Sequence, residues 1–235
     1  MRLEKYLSDC GIGTRSECKA YIRQGLIQVN KETVKNGAMQ VSEEDCVSFR
    51  GEPLTLCRGL YLMFYKPSGC ICATKDETQK TVLDYFPKEL SKRLLIAGRL
   101  DKDTEGLLFL TDDGAFVHRL MSPKKHVDKT YYFRACGRLL EDAPRRVEEG
   151  VDIGDEKPTK PGRLEQVSVR EGAVTEGYLT VSEGRYHQVK RMIHALGCEV
   201  FYLKRLCIGT VSLDETLKPG EYRSLTEEEY QRLIK

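Results

Sequence analysis

The sequence predicts an α+β protein in two modules, a small N-terminal unit and a larger one built on a mostly antiparallel sheet. Three observations predict it. Strand-like runs recur through the last three-quarters of the chain (YLMFYKP, LLIAGRL, LLFLTDD, KTYYFRAC, GRLEQVSVR, GYLTVSEG, VFYLKRLCIGTVSL) with few helical segments between them. The first 50 residues carry a self-contained pattern of two helices followed by short strands. Between the two lies a stretch with Gly51, Pro53 and Gly59, the composition of a connector. The expected boundaries are residues 1–55, a linker at 56–60, and 61–235.

Taken in order, Leu3, Tyr6 and Leu7, followed by Cys10, fall on one side of a first helix, and Gly-Ile-Gly at 11–13 breaks it. Thr14 and Glu17 have capping-box spacing, so a second helix starts there. Its apolar side is Cys18, Tyr21 and Ile22. Arg15, Lys19 and Arg23 recur every fourth residue and make one basic stripe, and Gly25 is placed to end the helix. LIQVN alternates as a strand, Asn30-Lys31 turns, and short strands run to Phe49. In the larger unit Pro67-Ser68-Gly69 turns the chain after YLMFYK. LLIAGRL is a strand ending at Leu100, which leaves Asp101 at its lip, and DKDTEG is a loop. Asp113-Gly114 opens a helix through His118 to Met121, stopped by Ser122-Pro123. RYHQVKRMIHALG predicts a helix over 185–197, with Val189, Met192, Ile193 and Leu196 as its apolar face and Gly197 as its end. Thr226 and Glu229 form another capping box, opening a terminal helix.

Composition excludes several function classes. No apolar run among the 235 residues is long enough to span a membrane, and MRLEKYLSDC has no signal-peptide core, so a cytoplasmic location is expected. The nine cysteines are odd in number and scattered, without a C-x-x-C pair, and read as reduced thiols. His187 and His194 are seven apart rather than four, so no metal site is expected. There is no Walker loop or dinucleotide fingerprint, and no cofactor is expected. Net charge is only +2, yet basic residues bunch at 15–23, 119–129, 185–191 and 204–205. Such clusters suit a local phosphate-binding surface, or simply solvated helix faces.

Read alone, the stretch AGRLDKDTEGLLFLTDDG is either a plain turn, with Asp101 or Asp103 capping backbone N–H groups, or an acid presented to a cleft. Lys190 on a helix and Tyr131 on a strand would complete a base-handling pocket: a cation keeps a carboxylate ionised, and an aromatic ring stacks on an extruded base. Sequence spacing cannot bring the three together.

These residues carry a family resemblance. RLEKYLSDCGIGTRSECKAYIRQGLIQVN resembles the alpha-L RNA-binding domain found in ribosomal protein S-4, which implies that Arg15, Lys19 and Arg23 face RNA phosphates. AGRLDKDTEGLLFLTDDG, with KPSG at 66–69 and EGRYHQVKRM at 183–192, resembles the motifs of RsuA-type pseudouridine synthases. HVDKTYYF, EKPTKPGRLE and the closing IGTVSLDETLKPGEYRSLTEEE are similar to the small-subunit branch. The resemblance implies an RNA-binding domain plus a synthase domain, Asp101 as catalytic aspartate, Tyr131 as active-site tyrosine and Lys190 as the basic partner of the aspartate. It places Arg99 beside the catalytic loop, with Arg185 and Arg191 as further RNA contacts, and an aliphatic residue near Leu203 or Leu206 against the base. Glu105 departs from the smaller residues common at its position. The implied substrate is ribosomal RNA, preferably 16S, or a small-subunit assembly particle, handled by a monomer. Large-subunit RNA, a non-catalytic ribosome-assembly factor, and a hydrolase using Asp101 and Asp103 stand as alternatives.

Overall fold

The computed structural model describes residues 1–234 apart from 11, 43, 55–58, 123–124 and 171–172. The chain divides into two compact units, Met1–Gly59 and Leu60–Lys235. Most of the expected linker (56–58), the first glycine of the Gly-Ile-Gly break and the expected helix stop Pro123 lie outside the described residues. Among those residues no helix is long and apolar enough to cross a membrane.

In the first unit α1 spans Leu3–Asp9 and α2 Arg15–Arg23. The capping box forms as the sequence predicts: the Thr14 amide donates to Glu17 Oε2 at 2.7 Å and the Glu17 amide to Thr14 Oγ1 at 3.3 Å. Strands β1 (Ile27–Val29), β2 (Glu32–Thr33), β3 (Val47–Phe49) and β4 (Glu52–Pro53) pair antiparallel in the order β2-β1-β3-β4. Leu3, Leu7, Cys18, Ile22, Ile27 and Val47 fill the core between helices and sheet.

The second unit comprises β5 (Tyr61–Lys66), a 3-10 turn (Val82–Tyr85), α3 (Lys88–Ser91), β6 (Leu95–Ala97), β7 (Glu105–Thr111), α4 (Gly114–Met121), β8 (Lys129–Gly137) and α5 (Ala143–Glu149). It continues with β9 (Arg163–Arg170), β10 (Val174–Val181), α6 (Gln188–Ala195), β11 (Cys198–Ile208), β12 (Val211–Ser212), β13 (Tyr222–Ser224) and α7 (Glu227–Ile234). The main sheet runs β13-β5-β7-β11-β8-β10-β9, with β6 on β7 and β12 on β11, and among the strand pairs of the described residues only β7–β11 is parallel. YLMFYK and GLLFL read as unbroken apolar runs because both faces there are covered. Met63, Leu107 and Phe109 pack against Phe116 and Leu120 of α4, while Phe64, Leu108 and Leu110 pack against Val82, Leu83 and Phe86. In the other half of the sheet, Phe133, Ala135, Leu179 and Val181 pack against Val147 of α5 and Val189, Met192 and Ile193 of α6.

Two elements differ from their expected bounds, and both differences shape the cleft. The strand expected to reach Leu100 stops at Ala97, where Gly98 takes φ +90° and the chain leaves the sheet. The helix expected from Arg185 begins at Gln188. The buried Gln188 carboxamide reaches back: Oε1 accepts from the Arg185 amide at 2.8 Å and Nε2 donates to Glu183 Oε1 at 3.1 Å. His187, at φ 47°, is left-handed and cannot extend the helix.

The parallel contact explains the glycine of the DKDTEG loop. Gly106 has φ +108°, and a Cβ there would overlap the Arg205 carbonyl oxygen. Glycine alone lets β11 approach the start of β7, with Arg205 opposite Gly106. On its other side Arg205 is registered opposite Tyr131 of β8. One strand therefore ties the loop of Asp101 to the strand of Tyr131.

Candidate active site

Asp101 opens a turn, with the Thr104 amide donating to its carbonyl at 3.1 Å. The turn is gripped from beneath by Lys66, a fully buried side chain at the end of β5. Lys66 Nζ donates to the carbonyls of Pro67 (3.0 Å), Lys102 (3.3 Å) and Thr104 (2.9 Å). The Gly69 amide donates to the Lys102 carbonyl at 2.8 Å, and the Leu100 amide to Cys72 Sγ at 3.3 Å. The Lys66-Pro67-Ser68-Gly69 turn and the Asp101 loop are thus one unit. Burial pushes the Lys66 ammonium below the usual lysine range, against the opposing pull of Asp103 and Asp101.

A cleft of about 710 Å³ opens above this turn, lined by Arg99, Asp101, Tyr131, His187, Leu203 and Arg205 among others. That volume suits a nucleotide-sized ligand. The Asp101 side chain is 29 % exposed; its Oδ2 lies 3.6 Å from Lys190 Nζ and its Oδ1 3.6 Å from His187 Nε2. Lys190 bonds more closely to Asp103 Oδ1, at 2.6 Å, so it clasps both acids of the loop. Burial opposes ionisation of Asp103, but the Lys190 hydrogen bond and charge outweigh it and hold the carboxyl below its usual range. Tyr131 is 9 % exposed. The sequence-predicted acid, phenol and cation therefore converge, with Lys190 shared between two carboxylates.

The base of the cleft holds a feature the sequence reading assigned no role. Arg205 is 3 % exposed; its Nε donates to the Leu107 carbonyl at 2.8 Å, and its Nη1 lies 3.5 Å from both the Arg99 carbonyl and the Tyr131 hydroxyl. Its Nη2 is buried with no partner among the described residues. Lys129, also lining the cleft, donates to the Val127 carbonyl at 2.6 Å, and burial together with Arg205 pushes its ammonium down. The signal for Arg205 was present: Leu203 and Arg205 are two apart on a strand and so share a face. The same alternation selects Leu203, which lines the cleft, over Leu206, which does not.

The RNA pseudouridylate synthase family matches residues 60–195, more than half of the chain, and the S4 domain matches residues 1–47. The chain belongs to the RNA pseudouridylate synthase family. It is 45% identical over 235 residues to an uncharacterized RNA pseudouridine synthase of Bacillus subtilis, covering 99% of this chain and 98% of that one. It is 44% identical over 240 residues to the ribosomal small subunit pseudouridine synthase A of Haemophilus influenzae, covering 100% of both. A crystal structure of a pseudouridylate synthase, 43% identical and covering 100% of both chains, superposes with a TM-score of 0.69.

Within this synthase the predicted RNA-facing residues separate into two groups. Arg15, Lys19 and Arg23 are exposed along α2, and only Lys19 of the three approaches an acid, Glu4 at 3.6 Å, among the described residues. Arg99 is exposed at the cleft. Arg185 and Arg191 are partly exposed, at 25 % and 29 %, Arg185 lines the cleft, and both are also engaged by the neighbouring 153–158 segment. Arg185 donates to the carbonyls of Lys157 (2.6 Å) and Pro158 (2.7 Å), and Arg191 to the Ile153 carbonyl and to Asp155. These contacts lash the 153–158 segment to the start of α6 at the protein surface. The hydrogen bond from Arg191, ahead of those from Arg185, holds the Asp155 carboxyl below its usual range.

Proposed function

We propose that this synthase converts a uridine of small-subunit (16S) ribosomal RNA to pseudouridine, with Asp101 as the catalytic carboxylate. The observation that carries the residue assignment is the placement of Asp101 at the cleft that Tyr131 also lines, 3.6 Å from Lys190. The reaction breaks the bond between N1 of uracil and C1′ of ribose and makes one between C5 and C1′. C5 gives up its hydrogen and N1 gains one, so atoms and electrons balance without an added reagent. The closest physical parallel is carboxylate chemistry at a sugar's anomeric carbon. Asp101 can attack C1′, add to C6 of the ring or take the C2′ proton; all three need an oriented carboxylate, and Lys190, 3.6 Å away, holds its direction.

Tyr131 stacks on the flipped uracil and Leu203 packs beside it. Arg99, exposed at the rim, fills the gap the base leaves in its helix. Flipping costs a few kcal/mol, offset by phosphate contacts from Arg15, Lys19 and Arg23. Each side chain in this scheme belongs to one chain, so a monomer suffices, acting in the cytoplasm on free RNA or an assembling particle. The small-subunit preference rests on the relatives named for that subunit, one of which the chain matches from end to end.

The test is to incubate purified protein with transcripts of each ribosomal RNA and map pseudouridine by carbodiimide labelling and primer extension. One new stop in the small-subunit RNA is expected. A stop confined to the large-subunit RNA would overturn the substrate assignment while leaving the chemistry in place.

A further inference from the structure

An aromatic pair at the rim of the cleft has no part in the scheme above. Tyr186 is 76 % exposed. Its ring lies 3.9 Å from the His187 ring, centroid to centroid, with only 16° between the planes. Both residues line the cleft, and His187 Nε2 is 3.6 Å from Asp101. With one face against the imidazole, the phenol turns its other face to solvent, one residue away from a side chain that nearly touches the catalytic carboxylate.

The pair is built rigidly, unlike a chance surface tyrosine. The Tyr186 carbonyl accepts from Arg191 Nη1 at 3.1 Å. The Arg185 amide on one side is held by Gln188, and His187 on the other is fixed in the left-handed region at φ 47°. A residue other than glycine keeps that conformation only where its surroundings impose it. The hydrogen bonds of Arg185 and Arg191 acquire a purpose here, since they fix the segment that presents the ring.

A base-flipping enzyme creates the ligand such a ring fits. Extruding a uridine breaks its stacking with the nucleotides on either side and leaves their π-faces bare. A flat aromatic at the pocket mouth can cover one of them, and because every base has a π-face such stacking needs no particular sequence. We infer that Tyr186, braced by His187, is a stacking subsite for the unpaired base immediately adjacent to the target uridine. This rests on the reading of the cleft as the uridine pocket.

The experiment takes a short RNA spanning the uridine that wild-type protein modifies. It is prepared with all bases and with an abasic nucleotide at the 5′ or the 3′ neighbour, and tested with wild type, Tyr186→Ala and Tyr186→Phe. Base–aromatic stacking predicts a rise in KM of about tenfold for Tyr186→Ala on intact RNA. Tyr186→Phe should stay within about twofold of wild type. One abasic substitution should raise the wild-type KM by a similar factor but change Tyr186→Ala by less than about threefold, because the partner ring is already gone. An unchanged KM for Tyr186→Ala, or penalties that simply multiply, overturns the stacking site alone. Absence of pseudouridine with wild-type protein on any ribosomal RNA overturns the pocket reading and the subsite together.

Discussion

At the scale of single residues, the cleft rests on two buried cations that bond to backbone rather than to acids. Lys66 is fully buried and bonds to three carbonyls. Arg205 has no carboxylate within ion-pair distance among the described residues and one nitrogen without a partner. Burying an unpaired charge costs several kcal/mol, so an apolar replacement of similar volume should leave stability equal or higher. Arg205→Met is therefore expected to melt at or above the wild-type temperature while kcat falls about tenfold or more, the worth of a charge-assisted hydrogen bond. The loss would act through the Tyr131 hydroxyl and the Arg99 carbonyl that the guanidinium positions. Thermal melts beside single-turnover rates check it, and a variant that is both less stable and fully active contradicts it. Asp101, Tyr131 and Lys190 were legible as residues because long motifs surround them. For Arg205 only its face was legible, by alternation with Leu203; its place beside the Asp101 loop depends on a parallel strand contact between residues about a hundred positions apart, allowed by the bare backbone of Gly106.

At the scale of elements, local chemistry set what the sequence revealed. Helix starts written in side chains were readable: Thr14 with Glu17, Asp113 accepting from the Ala115 and Phe116 amides, and Thr226 with Glu229. Boundaries set by a left-handed backbone were not, as with the strand that leaves the sheet at Gly98 and the helix delayed to Gln188 behind His187. The terminal capping box does more than start α7. Arg223 of β13 pairs with Glu229 through both terminal nitrogens, at 2.8 and 2.7 Å, and donates from Nε to Asp214 at 2.6 Å. Hydrogen bonds from the Thr216 hydroxyl and amide, then from Arg223, lower the Asp214 carboxyl from 3.8 to about 2. A depressed acid contributes stability that is complete above its unfolded value and lost as pH falls through the folded one. Asp214→Asn is thus expected to melt below wild type at pH 7, with the gap shrinking once pH drops under 3.8 toward about 2. Melting curves across that range test it, and a gap independent of pH contradicts it.

At the scale of the whole molecule, a net charge of +2 cannot attract RNA as a bulk effect, so the attraction must be local. On the proposed reading, the exposed α2 stripe of the S4 module supplies it. Neutralising Arg15, Lys19 and Arg23 together with Gln should weaken RNA binding. The slope of log affinity against log salt should flatten by roughly 2 to 3, at about 0.7–0.9 per lost phosphate contact. Turnover at saturating RNA should change little. A salt slope equal to wild type removes the module from the binding surface. The two-module layout was legible from the linker composition and the change of pattern at Tyr61, whereas the sheet order was not, because strands adjacent in space are distant in sequence.

If Asp101 performs the chemistry, removing its charge must stop the reaction without releasing the RNA. Small-subunit RNA is incubated with wild-type or Asp101→Asn protein, pseudouridine is mapped, and RNA affinity is measured for both. A single new stop is expected with wild type and none with Asp101→Asn, at affinities within about twofold, since the change removes one charge and keeps the side-chain shape. Pseudouridine formed by Asp101→Asn at a rate near wild type would contradict the assignment.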